Sequence, residues 1–152
     1  MTQLSLFEYF DQDPYEGDDE PEFIPSREDL VLEFHEAFNL PTGNREDLTI
    51  ELIDLRVKLL REELEEVETA LYAFYNEPCV AREADVLKEM CDLNYVLSGT
   101  AVVFGVDLEE AFYRVHESNL SKLGTDGKPI YRDDGKVLKG SNYKPPYLED
   151  LV

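Results

Sequence analysis

Tryptophan is absent from this chain, and cysteine and histidine appear twice each. Lysine and arginine together number 14 against 35 aspartates and glutamates in 152 residues. Each scarcity removes a class of function. A formal net charge of −21 argues against sequence-independent binding to DNA or RNA, which needs cations to neutralise phosphates. It equally disfavours an anionic membrane surface. No run of 18 apolar residues occurs, so no membrane span is expected. The start, Met1-Thr2-Gln3, carries no positive charge, and Glu8 interrupts its short apolar stretch, unlike a secretory signal. Cys79 and Cys91 are isolated and fit neither a zinc spacing nor a disulfide framework. They read as reduced thiols of a cytosolic (cytoplasmic) protein.

What is present is unevenly placed. Between Glu8 and Glu22 the chain is dense in acids, and no Lys or Arg precedes Arg27. Lys122, Lys128, Arg132, Lys136, Lys139 and Lys144 gather towards the C-terminus. Residues 11–26 are too charged and too broken by Pro and Gly to pack, so residues 1–26 are expected to form a disordered acidic tail. Residues 27–124 should form a helical domain, and residues 125–152 a basic arm. The length suits one compact domain.

The helices announce themselves through their caps. Ser26 with Asp29 three residues later is a capping signal. The helix after it should reach about Asn39, with Leu30, Leu32, Phe34 and Phe38 mostly buried. A long helix should run from near Thr49 to about Tyr75. Ile53, Val57, Leu60, Leu64, Val67, Leu71 and Phe74 recur on it at steps of 4 and 3, the spacing of a core stripe. A second stripe, Leu52, Leu55 and Leu59, runs on into Glu62, Glu63 and Glu66. Glu65 and Glu68 fall on the other flank, where solvation suffices. The next helix should start between Pro78 and Arg82 and end near Phe104-Gly105. Its core stripe is Val86, Met90, Leu93, Leu97 and Phe104, while Asp85, Glu89 and Asp92 share a neighbouring line with Val96 and Val103. Asp107 with Glu110 opens a last helix, with Leu108, Ala111, Phe112, Val115 and Leu120 inward, ending near Lys122-Leu123-Gly124. Residues 128–139 read as a small β-hairpin turning at Asp134-Gly135. The expected architecture is all-α: an antiparallel helical bundle with a small C-terminal β-hairpin arm. His35 and His116 sit beside apolar residues and read as partly buried structural histidines.

Two helices thus each carry acids on a line that is apolar further along. Packed side by side, they would bring four or five carboxylates together. Two charges 5 Å apart repel by roughly 3 kcal/mol at an effective dielectric of 20. A divalent cation reverses that sign, and hard oxygen ligands with positions left for phosphate oxygens are how Mg²⁺ is usually held. The competing reading is a solvated acidic face on an acidic protein.

Glu62-Glu63-x-x-Glu66 followed by Glu89-x-x-Asp92 resembles the metal motif of the all-α nucleoside triphosphate pyrophosphatases, the superfamily of MazG proteins, dimeric dUTPases and phosphoribosyl-ATP pyrophosphohydrolases. Residues 31–146 are similar to bacterial and phage proteins of the phosphoribosyl-ATP pyrophosphohydrolase-like kind. The similarity is carried by Phe34-His35-Glu36-Ala37-Phe38, residues 59–66, Asp92-Leu93-x-Tyr95-Val96-x-x-Gly99-Thr100-Ala101, residues 115–124 and residues 134–140. The resemblance implies a helical homo-oligomer (dimer or tetramer), Mg²⁺ or Mn²⁺, and hydrolysis of a (d)NTP to (d)NMP and pyrophosphate. It places metal on Glu63, Glu66, Glu89 and Asp92. Glu62 would be a further ligand or would orient the attacking water, so Glu62 and Glu63 are the catalytic candidates. It assigns substrate phosphates to Asn119, Lys122, Lys136, Lys139 and Lys144. Tyr143 is a candidate for stacking on a base, and Asp85 for an outer position at the metal.

Gln3-Leu4-Ser5-Leu6-Phe7 resembles the pentapeptide by which bacterial proteins dock on the replication sliding clamp. Gln3 would supply a directional hydrogen bond, while Leu4, Leu6 and Phe7 would fill an apolar cleft. The alternatives to a (d)NTP pyrophosphohydrolase are the phosphoribosyl-ATP reaction and, from a different class, a non-catalytic oligomeric adaptor or regulator.

Overall fold

A computed structural model describes residues 24–43 and 48–152. The proposed clamp peptide, with Gln3, Leu4, Leu6 and Phe7, and most of the acidic tail lie outside the described residues. The described chain is helical: α1 (Arg27–Ala37), α2 (Ile50–Asn76), α3 (Val80–Phe104) and α4 (Leu108–Leu120), with a short 3-10 turn at Glu149–Leu151.

The caps set these boundaries. Ser26 and Asp29 form a reciprocal capping box on α1: the Ser26 side chain accepts from the Asp29 N–H, and the Asp29 carboxylate accepts from the Ser26 N–H at 2.8 Å. The Thr49 side chain accepts from the Leu52 N–H at the start of α2, and Asp107 accepts from the Glu110 N–H at the start of α4. Gly105, at φ +64°, closes α3 in the left-handed conformation that glycine adopts without a Cβ clash. The Gly43 N–H donates to the Val102 carbonyl at 2.7 Å, which fastens the segment after α1 onto the end of α3. A Cβ on Gly105 would stand 2.8 Å from the Gly43 carbonyl oxygen, so the two glycines permit this backbone approach.

Helices α2 and α3 form an antiparallel hairpin. Arg56, near the start of α2, reaches Val96 and Thr100 late in α3, whereas Glu63 further along α2 meets Glu89 and Asp92 earlier in α3. Helix α1 packs on α3, held by a 2.6 Å bond from Ser98 Oγ to Glu28 Oε1. The apolar core is small: among the described residues, Val31, Val67, Ala70, Ala101, Val102 and Val103 are the buried hydrophobic ones.

Several expected faces point elsewhere. On α1 the buried residues are Val31 and His35, while Leu30, Leu32, Phe34 and Phe38 are exposed. Val31 and His35 are one helical turn apart, on the side that meets α3. On α2 the stripe expected to be core leaves Ile53, Val57, Leu64 and Leu71 exposed, and on α3 Met90 and Leu97 are exposed. Val67 of the expected α2 stripe is buried and Leu60 and Phe74 are half-buried, while Glu63 meets Glu89 and Asp92 across the α2–α3 interface. On α4, Phe112 and Leu120 are exposed, as is His116, which is not the partly buried residue expected.

The expected hairpin reduces to one antiparallel bridge, Tyr131 with Val137. The Arg132 N–H donates to the Lys136 carbonyl at 2.8 Å and the Leu138 N–H to the Ile130 carbonyl at 2.7 Å, around a turn at Gly135. No strand forms there because a two-stranded ribbon without an apolar face to bury is marginal. Ile130, Tyr131, Val137 and Leu138 are all exposed.

Candidate metal centre

The carboxylates converge midway along the α2–α3 hairpin. Glu63, Glu89 and Asp92 each offer one oxygen, and the three oxygens lie within 4.8 Å of one another. Glu89 and Asp92 are one turn apart on α3, so both face Glu63 across the interface. Glu63 Oε2 is shut off from solvent without a hydrogen-bond partner among the described residues. Burial is the main force that pushes the Glu63 carboxyl above its ordinary range. The like charges of Glu66, Asp92 and Glu89 add to it, and Lys88 opposes them. An orphaned carboxylate oxygen beside two more oxygen donors fits a hard divalent cation, and an all-carboxylate set excludes a soft-metal thiolate site.

The sequence reading placed Glu62 and Glu66 with this group. Both line an adjoining groove of ≈ 450 Å³ between α2 and α3, together with Glu65, Thr69, Ala70, Ala73, Arg82, Asp85 and Glu89. Glu66 acts on Glu63 through its charge. Glu62 stands at the rim, 3.5 Å from Lys58 Nζ. Asp85, one turn before Glu89, also lines the groove. Glu65, assigned to the solvated flank, also lines it.

Two cations were not singled out from the sequence. Lys88 Nζ lies 3.0 and 3.1 Å from the two oxygens of Glu89 and 2.7 Å from Asp92 Oδ2. These bonds, Asp92 first, hold the ammonium above its usual range. The signal was present as a lysine four residues before Asp92 on a helix. Arg82, 3.3 Å from Glu77, is the groove's basic wall residue.

The proposed phosphate-binding residues form a separate assembly on α4 and the arm. Lys122 Nζ donates to Asn119 Oδ1, Lys139 Nζ stands 4.1 Å from the centre of the Tyr143 ring, and the Lys144 carbonyl accepts from Ser118 Oγ at 2.8 Å. Tyr143 and Lys144 line a cavity of ≈ 820 Å³ with Leu120, Ser121 and Asn142. Lys136 lies on the exposed turn. Tyr143 and Lys144 line this cavity, whereas Glu62, Glu66 and Glu89 line the α2–α3 groove.

A polar knot lies beyond the acids on the same interface. Arg56 is buried; its Nε donates to Thr100 Oγ1 at 3.1 Å and its Nη2 to the Val96 carbonyl. Burial pulls its pKa below the usual guanidinium range. His35 is buried with Nδ1 2.8 Å from the Pro41 carbonyl, which only accepts, so Nδ1 carries a proton. Gly99 makes room for both: a Cβ there would meet Arg56 Nη2 at 2.8 Å and His35 Nε2 at 3.1 Å.

None of the described helices is long and apolar enough to cross a membrane. No curated protein matches the chain. The family model described as phosphoribosyl-ATP pyrophosphohydrolase matches residues 31–119, more than half of the sequence and the span that holds both halves of the carboxylate cluster. With that match and an all-helical fold, the chain belongs to the phosphoribosyl-ATP pyrophosphohydrolase family, within the MazG-like all-α nucleoside triphosphate pyrophosphatases.

Proposed function

We propose that this protein is a Mg²⁺-dependent nucleoside triphosphate pyrophosphohydrolase that cleaves a (d)NTP between its α and β phosphates, releasing (d)NMP and pyrophosphate. The observation that carries this reading is Glu63 Oε2, buried and unpartnered against Glu89 and Asp92. Such an arrangement is costly unless a cation completes it. In this reading Glu63, Glu66, Glu89 and Asp92 hold the metal. Glu62, at the groove rim, positions and deprotonates the attacking water. When bound, the divalent cation neutralises polyphosphate oxygens and lowers the pKa of that water. No side-chain nucleophile is needed.

The exposed apolar stripes of α2 and α3 support a homo-oligomer. Leu64 is 54% exposed, Leu71 48%, Met90 48% and Leu97 45%, on a chain with a small core of its own. Asn119, Lys122, Lys136, Lys139 and Lys144 would then serve the groove of a second copy. The N-terminal peptide around Gln3, Leu4, Leu6 and Phe7 would dock on a replication sliding clamp. Titrating a peptide of residues 1–12 against a purified clamp tests that, and no binding at high micromolar concentration ends it.

The family description equally favours phosphoribosyl-ATP as substrate. Pyrophosphate release is therefore to be measured with Mg²⁺ on a panel of canonical and damaged dNTPs and on phosphoribosyl-ATP. Turnover of nucleoside triphosphates that Asp92→Asn abolishes, with the helical circular dichroism intact, supports the main reading. Turnover of phosphoribosyl-ATP alone moves the assignment to the second. No turnover of any anhydride leaves the adaptor reading standing.

A further inference from the structure

Lys88 holds a position that the proposed chemistry does not use. Its ammonium contacts both oxygens of Glu89 and one of Asp92, and these two residues supply two of the three converging oxygens of the cluster. Among the charges acting on Glu63, it is the one cation. An ammonium is a compact point charge with three donors on a flexible stem. It satisfies carboxylates much as a metal does, but with one charge in place of two. The Lys88 side chain is 62% exposed while that of Glu89 is 17% exposed, so the ammonium covers the cluster from its solvent side and has room to swing away.

We propose that Lys88 is a resident counter-ion that competes with the divalent cation for Glu89 and Asp92. This rests on the metal reading given above. Without metal, the ammonium offsets part of the repulsion among Glu63, Glu66, Glu89 and Asp92. For a divalent cation to bind Glu89 and Asp92 in full, Lys88 must release them. The competition lowers the affinity for free metal. A metal already chelated by a polyphosphate enters on better terms, because the displaced ammonium, still anchored one residue before Glu89, finds phosphate oxygens to pair with. The site is thereby biased towards the metal–nucleotide complex over the bare ion.

The test is Mn²⁺ binding to the full chain, read by electron paramagnetic resonance in the absence of nucleotide, for the wild type, Lys88→Met and Lys88→Arg. Lys88→Met keeps the aliphatic stem and removes the charge, so it should bind Mn²⁺ more tightly, by about fivefold for the loss of two competing exposed ion pairs. Lys88→Arg should stay near the wild type, and metal-free Lys88→Met should melt lower than metal-free wild type. Wild type that binds Mn²⁺ together with a Lys88→Met variant that binds it equally or more weakly overturns the counter-ion role alone. A wild type that binds no divalent cation overturns the metal reading, and this proposal with it.

Discussion

Glu63→Gln separates repulsion from metal ligation in a single substitution. The cluster oxygens lie within 4.8 Å of one another. At that separation each carboxylate pair repels by about 0.9 kcal/mol in a water-like dielectric and by about 3.5 kcal/mol at an effective value of 20. Glu63 is half-buried and Lys88 offsets part of the charge, so the screened end applies. Two neighbours then give a relief of about 1–2 kcal/mol once Glu63 is neutral. The glutamine amide can also donate to Glu89 or Asp92. For a chain of this size, a gain of that order raises the melting temperature by about 2–6 °C. Metal-free Glu63→Gln should therefore melt above metal-free wild type. With saturating Mg²⁺ or Mn²⁺ the order should reverse, because the wild type gains from ligation and the variant lacks a ligand. The pH dependence follows from the same carboxyl. Its pKa is raised in the fold above the ordinary 4.5, so the native state holds the proton more tightly than the unfolded chain. Metal-free wild type should lose stability as pH rises through that raised value and regain it as pH falls back towards 4.5. Glu63→Gln should lack this component. Differential scanning calorimetry with and without metal reads all of this. A metal-free variant that melts at or below wild type, or one that keeps the full metal-induced rise, refutes the reasoning.

Gly105→Ala should cost about 2–3 kcal/mol in urea unfolding, because it forces a side chain into a left-handed φ and against the Gly43 backbone; a loss under 0.5 kcal/mol would show that this contact gives way easily. The exposed stripe containing Leu64, Leu71, Met90 and Leu97 should make the melting temperature rise with protein concentration, as it does when assembly is coupled to folding. A midpoint constant over a hundredfold dilution, with a monomer in sedimentation, would remove the oligomer.

The sequence made the element boundaries legible because the capping groups act within a few residues of themselves. Ser26 with Asp29, Thr49, Asp107 and Gly105 mark helix ends where they were expected. The acidic lines were legible for a related reason: Glu89 and Asp92 continue into Val96 and Val103, and Val103 is buried. Burial by face was not legible. Periodicity shows that α2 and α3 each carry two apolar lines, and it is silent on which line meets the partner helix within the chain. The line through Ile53, Val57, Leu64 and Val67 is the more continuous, yet along it Val67 is buried while Ile53, Val57 and Leu64 stay exposed, and Arg56 and Ala70 turn inward from outside it. The pairing of Lys88 with both Glu89 and Asp92 depends on side-chain rotamers, which helix spacing alone does not specify. The hairpin is reduced to a bridge because turn chemistry at Asp134-Gly135 specifies a reversal, which forms, but does not specify the apolar cover a ribbon needs.

The α2–α3 interface carries two opposite electrostatic costs that helix geometry keeps apart. Arg56 is a buried guanidinium with no carboxylate partner among the described residues, answered by a carbonyl and a hydroxyl. Glu63, seven residues later on the same helix, belongs to a group of carboxylates in which Glu89 and Asp92 are paired with the exposed ammonium of Lys88. Two turns of helix separate the pair by roughly 10 Å, too far for a direct contact. An interface shaped for stability alone would pair these charges or replace both with apolar side chains, since a well-packed apolar substitute commonly equals or exceeds a buried ion pair. Here the cation is fixed to backbone and hydroxyl acceptors, which leaves the acids free to attract an external charge. Burial of a group that the fold leaves unsatisfied is the physical mark of a site whose missing partner comes from solution, and on this interface that mark falls on Glu63.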